Sequence, residues 1–124
     1  MDATDQARLN WLRLTGAEGI GPATVRRLLR HYGDVGAVLT AADAGPFHDM
    51  RNALPAANRD ALAAAIRRSR PEGELERLAR YGGDLVAFDD ARYPPALIAI
   101  PGPPPLLRVA GDTGVFRDVS VAIV

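Results

Sequence analysis

The sequence predicts a mainly α protein, with a helical domain over residues 1–70 and, over residues 71–124, a helix and short strands that open an α/β unit. Three observations carry this reading. Apolar residues recur at helical spacing through the first seventy positions, and a Gly-Ile-Gly turn separates the first two helical stretches. After Gly82-Gly83 the pattern changes to short β-prone runs. The last of these, Val119 to Val124, is uncharged and rich in β-branched residues, as suits a strand buried on both faces of a parallel sheet. Its expected role is the first strand of a domain that the chain does not contain, so the chain reads as truncated.

Taken in order, Asp5 is positioned to cap a first helix running to about Leu14, with Leu9, Trp11 and Leu12 apolar and Arg8 and Arg13 facing solvent. Gly19 and Gly21 permit a tight turn with positive φ, and Pro22 suits the first position of the next helix, where its missing N–H would have no partner. Val25, Leu28, Leu29 and Tyr32 form the apolar stripe of that second helix, and Gly33 stops it. Asp34 can cap a short third helix carrying Val35, Val38 and Leu39, followed by a loop from Ala41 to Phe47. Asn58 or Pro55 opens a fourth helix with Leu62, Ala65 and Ile66 on its buried face and Arg67, Arg68 and Arg70 at its end.

Past Pro71, Glu72, Glu74 and Glu76 crowd the start of a fifth helix and Arg77 and Arg80 its end, the order that the helix dipole favours. Glu76 and Arg80 are spaced for an ion pair, and Leu75, Leu78 and Ala79 face inward. Asp84 to Phe88 reads as a short strand, Asp89 to Tyr93 as a polar turn and Ala96 to Ile100 as one helical turn. Pro101 to Pro105 can only be an extended or turning linker. Leu106 to Ala110 is a second strand, placed at an edge or covered on one face by its Arg108, and Gly111 to Asp118 turns.

Composition narrows the function. Fifteen basic residues, all Arg, balance fifteen acids, so no global basic field announces nucleic acid. The balance is uneven: residues 1–70 hold ten Arg against seven acids and residues 71–124 five against eight. No Cys is present, which excludes disulfides and thiolate metal sites, and His31 and His48 are too few for a metal cluster. No cofactor motif is read. The polar, acidic N-terminus and the lack of a long apolar run favour a soluble, cytoplasmic protein and argue against membrane insertion.

The Gly19-Ile20-Gly21 turn with its flanking helices has the form of a helix-hairpin-helix, whose turn amides hold a phosphate without reading sequence. Arg26, Arg27 and Arg30 would add charge-assisted contacts. Glu18 would repel a phosphate there, and the alternative is that the motif only builds a small helical domain. The arginines at residues 67, 68 and 70 are either an electrostatic patch or cations placed by the helix dipole. His31 and His48 read as surface or capping residues. Asp89 and Asp90, beside Tyr93, read as turn residues, and no nucleophile, base and orienting group assemble into a catalytic set.

Tyr-Pro-Pro-Ala-Leu from Tyr93, Ile-Pro-Gly-Pro-Pro-Pro-Leu-Leu from Ile100, Val-Ala-Gly-Asp from Val109 and the closing Val-Ala-Ile-Val resemble the DNA processing protein A family (DprA, also called Smf). Glu18-Gly19-Ile20-Gly21-Pro22 fits the hairpin of that family. The resemblance implies a helical domain related to sterile alpha motif (SAM-like) and helix-hairpin-helix units, then a Rossmann-like domain. It also implies single-stranded DNA binding in natural transformation, protection of the incoming strand and loading of the RecA recombinase. The family's Gly-Ser/Thr-Arg motif follows the Val-Ala-Ile-Val strand, so its principal DNA pocket transfers to no residue here. Two other classes stay open: an interaction module that docks a regulator or a second protomer, and a nucleotide-processing Rossmann-like enzyme.

Overall fold

The computed structural model describes residues 3–119 together with Val121 and Ile123. The elements run α1 (Ala3–Thr15), α2 (Pro22–Tyr32), α3 (Val35–Ala44), a 3-10 turn (His48–Met50), α4 (Ala56–Arg68), α5 (Glu72–Arg80), β1 (Asp84–Ala87), α6 (Pro95–Ile98), β2 (Leu106–Val109) and a second 3-10 turn (Thr113–Arg117). Helices dominate, as expected. Two strands follow them, paired antiparallel with Leu85 opposite Arg108 and Ala87 opposite Leu106.

The helices close around one apolar cluster. Val25, Leu28 and Leu29 of α2 meet Val38, Leu39 and Ala42 of α3 and Ala63, Ala65 and Ile66 of α4, with Phe47 and Met50 filling the space beneath. A smaller cluster joins Leu12 of α1 to Leu85 of β1 and Leu106 of β2. Trp11 packs against both clusters, meeting Phe88 edge-on at 6.0 Å, so α1 touches both regions of the chain. Burying side chains of this kind stabilises by roughly 1.5–3 kcal/mol each.

Several boundaries differ from expectation for physical reasons. Helix α1 begins before Asp5, which therefore lies in the first turn rather than at the cap and pairs with Arg8 at 3.3 Å. Arg8 and Arg13 do not face solvent: Arg8 reaches Asp84 at 2.8 Å and Arg13 reaches Asp43 at 2.6 Å. Helix α3 continues through the predicted loop to Ala44, because Ala41, Ala42 and Ala44 are strong helix formers and Ala42 is buried; Gly45 then ends it. Asp34 caps α3 as expected, accepting from the Ala37 N–H at 2.8 Å. Pro55, not Asn58, precedes α4.

In α5 the predicted Glu76–Arg80 pair is not formed, and Glu74 instead pairs across to Arg108 of β2. Ala79, expected to face inward, is exposed, and Leu75 and Leu78 are only half-buried, because α1 covers one side of this helix and leaves the rest open. At the end of the chain, Val119, Val121 and Ile123 are exposed and belong to no strand, whereas a buried strand was expected. The rest of that predicted strand, Ser120, Ala122 and Val124, lies outside the described residues.

Candidate nucleic-acid interface

The turn between α1 and α2 is built by residues of contrasting fate. Ala17 is buried and Ile20 packs against the helical cluster, while Glu18, Gly19 and Gly21 are exposed. Ile20 is thus an anchor that holds the turn onto the core. Gly19 takes φ +82°, a left-handed conformation that costs other L-residues about 1–2 kcal/mol. Gly21, expected to share that conformation, is extended at φ −97° and ψ 175° and serves as the N-cap of α2. Having no side chain, it caps no amide, and Pro22 at the first helical position contributes no N–H. The amides that follow therefore point outward from the positive end of the helix dipole.

The three predicted arginines divide. Arg26 is half-buried, and its Nη1 donates to the Pro103 carbonyl at 3.0 Å. Arg27 and Arg30, three residues apart on one helix face, are exposed and make no side-chain hydrogen bond or ion pair among the described residues. Gly19, Ile20 and Gly21 thus lie at the start of the helix that carries Arg27 and Arg30, whereas Arg26 faces the proline linker.

Other charged residues hold the fold together. Of the cluster Arg67, Arg68 and Arg70, Arg67 donates to the Ala42 carbonyl at 2.6 Å, and Arg70 donates to the Arg67 carbonyl at 2.7 Å and the Ser69 carbonyl at 3.0 Å, so two of the three satisfy carbonyls near helix ends. His31 Nε2 lies 4.0 Å from Asp49 Oδ2 and its ring meets Tyr32 edge-on. No group of three metal-ligating side chains occurs among the described residues.

One network was not legible in sequence. Asp84 accepts from Arg8 at 2.8 Å and from Arg92 at 2.6 Å, and Arg92 also reaches Asp90 at 2.8 Å. Burial pushes the Asp84 carboxyl up, but hydrogen bonds from Arg92, the Leu85 N–H and Arg8 outweigh it and hold the group below its ordinary value. Asp90 is lowered chiefly by its hydrogen bond from the Arg92 side chain. The only local signal was the Asp-Ala-Arg turn, in which the Arg92 N–H donates to Asp90 at 2.8 Å. Tyr93 then donates its hydroxyl to the Pro104 carbonyl at 2.7 Å, tying its turn to the proline linker.

Two helices joined through a glycine turn, the second starting at an uncapped glycine and a proline, define a helix-hairpin-helix domain. Residues 5–46, from α1 through α3, match the family described as the DprA-like N-terminal HHH domain. No curated protein matches the chain.

Proposed function

We propose that this chain belongs to a cytoplasmic, non-catalytic protein that binds single-stranded DNA during natural transformation, protects it and loads a RecA-type recombinase onto it. The match of residues 5–46 to the DprA-like N-terminal domain carries this reading. The geometry of the hairpin supports it: an uncapped α2 N-terminus at Gly21 and the unpartnered Arg27 and Arg30 suit sequence-independent phosphate contact. On the same reading, the segment from β1 onward leads into a Rossmann-like domain.

The contact is an electrostatic one. Amides at the start of α2 donate to a phosphate, Arg27 and Arg30 neutralise its neighbours, and Glu18 limits affinity at this turn, so the hairpin contributes one weak contact to a larger binding surface. Competition of unlabelled single strands and unlabelled duplex against labelled oligo-dT tests the reading. Preferential displacement by single strands is expected; displacement only by duplex would refute it.

A further inference from the structure

Helix α5 is amphipathic, yet none of its residues is fully buried. Between it and α1 lies a groove of about 340 Å³, floored by Leu9, Leu75 and Leu78. Leu78 packs against Gly83, where a Cβ would come within 2.7 Å of its methyl group.

Glu72 and Glu76, one turn apart on α5, line the same groove, and neither side chain makes a hydrogen bond or ion pair among the described residues. Arg8 also lines it, but its charge is met by Asp84 at 2.8 Å and Asp5 at 3.3 Å. An apolar floor thus lies beneath a negative rim. At the end of α5, Tyr81 is 82% exposed, while every other aromatic side chain is buried or half-buried.

We propose that the α1–α5 groove docks a basic amphipathic helix of a partner protein. Its apolar residues cover Leu9, Leu75 and Leu78, and its Lys or Arg residues pair with Glu72 and Glu76. Nucleic acid is excluded from this surface by the two carboxylates, and the proposal does not rest on the DNA reading, because Arg27 and Arg30 lie on α2.

The test titrates the 124-residue chain with a 15-residue Leu/Lys amphipathic peptide and with its Leu/Glu counterpart, following methyl signals by NMR. The Lys peptide is expected to shift Leu9, Leu75 and Leu78. Affinity should fall about tenfold or more in Glu72→Lys/Glu76→Lys, and the Glu peptide should regain binding to that variant. The milder Glu72→Gln/Glu76→Gln pair should give an intermediate loss with an unchanged thermal midpoint, separating charge from folding. Peptide binding that ignores both rim variants would overturn the proposal. So would shifts mapping elsewhere, closure of the groove by a second copy of the chain in sedimentation, or oligo-dT shifting the same methyls.

Discussion

The Arg26 guanidinium of α2 donates to the Pro103 carbonyl at 3.0 Å, joining residues 77 positions apart. Its nitrogens also lie close to Gly102, whose φ of +67° turns the linker there. The proline linker is therefore held at Pro103 by Arg26 of α2 and at Pro104 by Tyr93.

Arg26→Ala should free the linker while leaving the helical core intact, lowering stability by about 0.5–1.5 kcal/mol, the worth of one hydrogen bond. Elastase cleavage after Ala99 should accelerate and the Gly102 amide resonance should move. Unchanged linker signals would show that the contact positions nothing.

The Arg8–Asp84–Arg92 network predicts acid sensitivity. A carboxyl whose folded pKa is depressed contributes stability that is complete above its unfolded value, near ~4, and is lost as pH falls through the folded value. Asp84 and Asp90 have that sign, as does Asp43, which is lowered chiefly by its hydrogen bond from Arg13. Thermal midpoints should be flat from about pH 7 to 5 and drop below about 4. Asp84→Asn should melt earlier at neutral pH, with its deficit shrinking in acid.

Two tyrosines should respond oppositely to loss of the hydroxyl. Tyr93 donates to Pro104, so Tyr93→Phe should cost about 0.5–1.5 kcal/mol in urea unfolding. The Tyr32 hydroxyl is buried with no hydrogen-bond partner among the described residues, so Tyr32→Phe should be neutral or stabilising by up to ~1 kcal/mol. Equal losses in both variants would contradict this contrast.

What the sequence revealed was local. The stripe Val25, Leu28, Leu29 and the stops at Gly33 and Gly82 follow from helical period and glycine chemistry, and both short strands fell where β-prone residues cluster. What stayed hidden depends on long separations: Arg8 finds Asp84 at a distance of 76 residues and Arg13 finds Asp43 at 30, so both looked like solvent-facing charges on a lone helix. Gly19 and Gly21 looked equivalent, although only Gly19 needs positive φ. Of the candidate arginines, the one drawn away from the exposed face was Arg26, because its partner is a backbone carbonyl that side-chain spacing cannot signal.

The most direct test of the DNA-binding account is the salt dependence of oligo-dT affinity, measured by anisotropy for the chain and for Arg27→Glu/Arg30→Glu. Each phosphate neutralised contributes about −0.7 to the slope of log affinity against log salt for single strands. The account predicts affinity that falls with salt, and a slope shallower by about 1.4 in the double variant. Salt-independent binding, or an unchanged slope in a folded variant, would contradict it.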